Sequence, residues 1–203
     1  MDNKPYNGAE KTYYEDGTLE TERSYIEGQR IGYAVSYYQN GQIEVETEDV
    51  LGEKLNNGFY REYYETGQLK SEKYYKEGQI NGKSKTYYET GQLESELNYK
   101  DGKTVGYAAE YYENGQIEKE WEDMLDGKPN NGYFRKYYEN GTLKEEVYYK
   151  NGLIEGIRKE YSETGELEWE TPYKDGEKHG IMKHYNKNGE VEAAIVYKDG
   201  YKM

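Results

Sequence analysis

Cysteine is absent from the 203 residues, so disulfides and thiolate metal centres are excluded. Large apolar residues are scarce: two Phe, two Trp and four Met, with the hydrophobic set at 33% and much of that tyrosine. A thick aliphatic core cannot be built from such a supply. The two histidines, His179 and His184, offer neither a nucleophile–histidine–carboxylate set nor a zinc site, and both read as surface residues. No compact Asp-x-Asp-x-Asp-Gly loop is present, and no apolar run approaches the ~18 residues of a membrane span. The polar stretch Met1–Gly8 contains no secretory leader, which favours the cytoplasm unless a longer precursor was trimmed. Cations are also short. The 27 Lys and Arg against 41 Asp and Glu leave a net charge of -14, which disfavours nucleic acid and anionic lipid and favours a basic partner. No catalytic residue, metal or cofactor is expected, and no enzymatic activity.

Low hydrophobicity with high net charge is the composition of disorder. The placement of 28 Tyr and 24 Gly opposes it. Eight glycines open repeats (Gly8, Gly32, Gly58, Gly82, Gly106, Gly132, Gly156, Gly180), a second follows nine residues later, and a third eleven or twelve beyond that. No glycine is left over. The chain is one array of eight tandem repeats, 8–31, 32–57, 58–81, 82–105, 106–131, 132–155, 156–179 and 180–203.

Each repeat reads as a β-hairpin. Phe59–Tyr64 is an aromatic-rich strand, Glu65-Thr66-Gly67 a three-residue loop closed by a left-handed glycine, and Leu69–Tyr75 the return strand. Lys76-Glu77-Gly78 begins the connection to the next hairpin. An unbroken register places Tyr64 opposite Gln68, Tyr63 opposite Leu69 and Arg61 opposite Ser71. One face then carries the first Tyr of each pair with Leu69 and its equivalents. The other carries Glu72 and its equivalents Glu22, Glu46, Glu96, Glu120, Glu146 and Glu170, a column that only Ala194 breaks. The expected fold is all-β: tandem hairpins forming one elongated, twisted antiparallel sheet of about sixteen strands, solenoid-like and roughly 77 Å long.

The two longest repeats, 32–57 and 106–131, agree at 17 of 26 positions, as duplication of a three-hairpin block would leave them. Both place Asp (Asp49, Asp123) before a longer link ending in Asn56-Asn57 or Asn130-Asn131. These links are expected to bulge from one edge, as a binding edge or as neutral loop variants. Glu44, Glu46 and Glu48, repeated as Glu118, Glu120 and Glu122, form an acidic stripe that would dock a basic protein or serve only as a solvated face. Trp121 and Trp169 are placed on the Tyr/Leu face with Tyr107, Tyr111, Tyr133, Tyr137 and Tyr161, as a binding row or as the thin core itself.

The pattern Tyr-Tyr-x-x-Gly-x-Leu-x-x-Glu-x-x-Tyr-x-x-Gly-x-x-x-Gly, seen from Tyr87-Tyr88 through Gly91, Leu93, Glu96, Tyr99 and Gly102 to Gly106, resembles MORN-type repeats. The likeness is to the short bacterial variant of YwqK-like antitoxin-component proteins, and it covers Gly8 to Gly200. Departures fall at Asp49, Asp123, Ser162, Asn186 and Ala194. The resemblance implies stacked hairpins and a role in binding another protein, as an antitoxin or inhibitor that neutralises a basic toxin or nucleic-acid-processing enzyme. Two other readings stand beside it: a glycan- or cell-surface-binding module using tyrosine rows, and membrane-proximal binding. The exposed first and last strands leave room for edge-to-edge self-association.

Overall fold

Each hairpin tip is built as the glycine spacing requires. At Tyr64–Gln68 the Gly67 amide donates to the Tyr64 carbonyl and the Tyr64 amide to the Gln68 carbonyl, both at 2.8 Å. Gly67 has φ 87°, a conformation an L side chain adopts only with strain, so the three-residue loop closes on glycine. The same two bonds recur at Tyr14, Tyr38, Tyr88, Tyr112, Tyr138, Ser162 and Asn186.

The structure is a computed structural model that describes residues 6–51 and 54–203. Met1–Pro5 and Gly52, the third glycine of the second repeat, lie outside the described residues. The chain divides into two bodies, Met1–Lys103 and Thr104–Met203. In the first, β1 (Gly8–Tyr13), β2 (Leu19–Ile26), β3 (Gln29–Tyr37), β4 (Ile43–Leu51), β5 (Lys54–Tyr63), β6 (Leu69–Lys76), β7 (Gln79–Tyr87) and β8 (Leu93–Lys100) each pair antiparallel with the next. The second begins with β9 (Lys103–Tyr111) and β10 (Ile117–Leu125). It continues through β11 (Lys128–Pro129), β12 (Gly132–Tyr137), β13 (Leu143–Lys150), β14 (Leu153–Ile154), β15 (Gly156–Tyr161), β16 (Leu167–Lys174), β17 (Glu177–Lys178), β18 (Gly180–Tyr185), β19 (Val191–Lys198) and β20 (Tyr201–Lys202). The two-residue β11, β14 and β17 are the starts of strands that resume as β12, β15 and β18, and the short β20 pairs with β19 after the eighth hairpin, so the count reaches twenty. The all-β, hairpin-by-hairpin antiparallel fold is as expected, and no described residue is helical.

Two local features differ from the expectation. The link Glu77-Gly78 is itself a tight turn: Lys76 pairs with Gln79, and Glu77 and Gly78 both have positive φ, 51° and 77°. That is a two-residue type I′ hairpin, so the chain meanders with no separate connection. The Gly78 amide donates to the Asn56 carbonyl of the preceding repeat at 2.8 Å, and Gly152 to Asn130 likewise, which stacks each turn on the one before.

The second difference is a β-bulge. Tyr63 does pair with Leu69, but Glu62 pairs with Ser71 and Arg61 with Glu72, so Lys70 is an extra residue on its strand. Equivalent shifts occur at Thr12/Tyr13, Ser36/Tyr37, Thr86/Tyr87, Lys136/Tyr137, Glu160/Tyr161 and His184/Tyr185. One inserted residue exchanges the faces of everything beyond it. The expected separation of carboxylates from phenols is therefore overturned: Glu72 lies opposite Arg61, which alternates to the same face as Tyr63. The core is correspondingly thin. Ala34, Val35 and Val50 are buried in the first body and Ala108, Ala109, Met124 and Val147 in the second. Small polar residues are buried beside them: Thr21, Thr47, Ser71 and Ser84 in the first body, Thr171 in the second.

Candidate functional site

The bulge converts the expected acidic column into a row of alternating charge. Directly opposed residues in the first body run Lys11, Glu22, Val35, Glu46, Arg61, Glu72, Lys85, Glu96. In the second they run Ala109, Glu120, Arg135, Glu146, Lys159, Glu170, Lys183, Ala194. Arg61 Nε lies 2.7 Å from Glu72 and its Nη1 3.4 Å from Glu46. Arg135 contacts Glu146 at 2.9 Å, Glu122 at 3.1 Å and Glu120 at 3.4 Å. Phenols complete the arrangement. Tyr63 donates to Glu46 at 2.6 Å, Tyr33 to the other oxygen of Glu46 at 3.1 Å, and Tyr137 to Glu120 at 2.7 Å. Desolvation first, then the hydrogen bond to Glu46, pushes the Tyr33 and Tyr63 phenols up to about 12.

The sequence-predicted stripe therefore does not form as one surface. Glu46 and Glu120 are the shielded centres of ion-pair clusters, and Glu122 joins Glu120 on Arg135. Glu44 sits at the bulge and accepts from the Ser36 hydroxyl at 3.1 Å on the reverse face; Glu118, its equivalent, lies 3.4 Å from Lys119. Glu48 packs against Gly58, where a Cβ would stand 2.9 Å from the Glu48 Cβ, and Glu122 occupies the same position against Gly132. These two glycines are required by close approach.

Asp49 and Asp123 do not head projecting loops. The extra residues of the long repeats are absorbed as register shifts inside the strands, and Leu125 pairs with Lys128 across a two-residue turn. Asp49 accepts from Asn56 and Asn57, each at 3.3 Å, and Asp123 from Asn130 and Asn131 at 2.9 and 3.4 Å. Asn57 in turn accepts the Glu77 amide, and Asn131 the Asn151 amide, both at 3.0 Å. The motif stitches a repeat to the following type I′ turn. Trp121 and Trp169 leave the tyrosine row for the same reason as the glutamates. Trp121 opposes Ala108 and Phe134, with ring centroids 5.3 Å apart in the Phe134 contact, on the face opposite Tyr107, Tyr133 and Tyr137. Trp169 stacks on His184 at 4.2 Å.

Sequence reasoning missed the tips of the three-residue turns. Glu65 and Glu89 in the first body, and Glu113, Glu139 and Glu163 in the second, are all exposed. The turns are tied to one another: Asn40 Nδ2 donates to the Glu65 carbonyl at 2.8 Å, Asn114 to Glu139 at 2.9 Å and Asn140 to Glu163 at 3.1 Å. Behind each tip, the second Tyr of a repeat donates its hydroxyl to the carbonyl of the first Tyr in the next: Tyr38 to Tyr63 and Tyr64 to Tyr87 at 2.7 Å, Tyr112 to Tyr137 and Tyr138 to Tyr161 at 2.8 Å. The signal was the recurrence of Glu immediately after five of the six Tyr pairs that lead into these turns, with Gln39 the exception.

Among the described residues no group of three or more His, Cys, Asp and Glu side chains could hold a metal ion, and no helix is long and apolar enough to cross a membrane. Fold and surface together define a tandem-hairpin repeat scaffold whose three-residue turns display carboxylates in each body. The chain belongs to the MORN repeat variant family, which matches residues 6–27, 30–48, 57–77, 80–101, 105–122, 130–151, 154–175 and 178–199. Repeats of this family are non-catalytic scaffolds, commonly protein- or membrane-binding modules. No curated protein matches the chain. Among solved structures it is similar to a chain of the "Crystal Structure of TcdB2-TccC3-Cdc42", at 13% identity and a TM-score of 0.24, over 93% of this chain and 14% of that one. That distant likeness bears on neither fold nor function.

Proposed function

We propose that the chain is a non-enzymatic scaffold that binds a basic protein along its three-residue turns, acting as an antitoxin or inhibitor of a basic toxin or nucleic-acid-processing enzyme. The observation that carries the reading is the exposed turn carboxylates stacked within each body, Glu65 and Glu89 in one and Glu113, Glu139 and Glu163 in the other. Successive turns are two strands apart, about 10 Å. That matches the Debye length of ~8 Å at physiological salt, so neighbouring carboxylates reinforce one another. The glutamates of the central rows contribute less to such a surface, because Arg61 and Arg135 already compensate them.

The partner is captured from source cells, purified, and titrated at increasing salt. Affinity is expected to fall at least ~10-fold from low to high salt. Reversal of Glu65, Glu89, Glu139 and Glu163 to Lys is expected to remove binding, whereas Glu72→Gln with Glu146→Gln leaves it. A salt-independent affinity, or a charge-reversed chain that binds as wild type, refutes the reading. Vesicles of anionic lipid are expected not to retain the chain. The glycan-binding alternative rests on the exposed Tyr74 and the edge-to-face pair Tyr133–Tyr148 at 5.2 Å, and retention on insoluble polysaccharide tests it.

A further inference from the structure

The last two repeats lack the second tyrosine, which is replaced by Ser162 and Asn186. At the first of these positions the second body has a cavity of about 430 Å³, within the ~300–1,000 Å³ typical of small-molecule sites. It is lined by Ser162, Glu168, His184, Tyr185, Lys187 and Glu192 among others. The preceding repeat shows what such a space holds when it is filled. Tyr138, 24 residues before Ser162, donates its hydroxyl to the Tyr161 carbonyl at 2.8 Å, with Lys144 4.9 Å from its ring centre. Glu160, Glu163 and Glu168 surround that phenol and, after desolvation, help to raise its pKa. Moved on by one repeat, Tyr161 becomes Tyr185, Lys144 becomes Glu168, and the three glutamates become His184, Lys187 and Glu192. Five of the ten residues lining the cavity are thus the counterparts of groups around the Tyr138 ring.

Neither replacement residue fills the space. Ser162 is turned back into its own loop, where it accepts from the Glu166 amide at 3.1 Å and bonds the Glu166 carboxylate. Asn186 accepts from the Asn188 and Glu190 amides of its own turn at 2.9 and 3.0 Å.

We propose that the cavity at Ser162 is a binding site for a para-hydroxyphenyl group, whose hydroxyl donates to the Tyr185 carbonyl as Tyr138 donates to that of Tyr161. The site does not depend on the turn-edge reading, and its test uses no basic protein.

The 203-residue chain is titrated with p-cresol, toluene, and matched short peptides containing Tyr or Phe, following the backbone amide resonances of Ser162, Tyr185 and Lys187. Saturable shifts are expected with p-cresol, and at least ~10-fold weaker binding of toluene, which leaves the carbonyl unpaired. Ser162→Tyr and Ser162→Phe both fill the slot and are expected to weaken p-cresol binding at least ~10-fold. Two variants with opposite polarity guard against failure of one to fold, and the p-cresol and toluene comparison needs neither. Saturation by p-cresol and the Tyr peptide assigns a tyrosyl side chain as occupant; saturation by p-cresol alone assigns a free phenolic compound. No saturable shift, equal binding of toluene, or unchanged binding in folded Ser162→Tyr overturns the proposal.

Discussion

Replacing Arg135 with methionine keeps the aliphatic stem and removes the cation that three carboxylates share. Glu146 and Glu120 are well shielded, with side chains 25% and 16% exposed, and Arg135 itself is 25% exposed. Glu122, at 45%, is closer to an ordinary surface partner. Exposed pairs contribute ~0.2–1 kcal/mol, and breaking a fully buried pair costs ~3–5 kcal/mol. Arg135 stands between these limits, and about 2 kcal/mol of destabilisation is expected. For a chain of this size that lowers Tm by ~4–8 °C, read by circular dichroism at neutral pH. A double-mutant cycle with Glu146→Gln should return a coupling of about 1 kcal/mol, and one with Glu145→Gln should return none. The contrast tests the register itself, since an unbulged hairpin would set Arg135 against Glu145. Coupling to Glu145 in place of Glu146 refutes both the bulge and the charge row built on it.

Three further outcomes are expected. Tyr33 and Tyr63 titrate near 12 in the folded chain against an ordinary value of 10.0, so the native state holds these protons more tightly; their contribution is complete below pH ~10 and is lost as pH rises towards 12. Phenolate absorbance and unfolding should therefore rise together in that window, and Tyr63→Phe should reduce the alkaline loss. Tyr138→Phe deletes the hydroxyl that reaches the Tyr161 carbonyl and should cost about 1 kcal/mol in urea unfolding, with m unchanged. Glu77 holds φ 51° in a type I′ turn where five other repeats place Asp or Asn, so Glu77→Asn should raise the stability read by urea unfolding by ~0.5–1 kcal/mol.

Composition and glycine spacing were enough for the all-β class, the eight hairpins and the three-residue tips, because those depend on local backbone chemistry: a tight loop ending at Gly67 demands φ > 0, and glycine supplies it. The Asp-Gly, Asn-Gly and Glu-Gly pairs carry the local signal of the type I′ links, although a separate connection was expected there. Face assignment was not. Whether Lys70 stays in the ladder or is squeezed out of it depends on the neighbouring strands: Glu72 finds Arg61 on one side, Lys85 stands on the other, and Lys70 finds Glu62 at 2.7 Å. Pairing energies of that kind are summed across neighbouring strands, so period-two alternation along one strand carries no record of them. The cavity at Ser162 has the same character. The loss of one tyrosine is visible in the sequence, but only the tertiary structure shows that Ser162 turns back on its own loop and leaves a cavity open beside Tyr185.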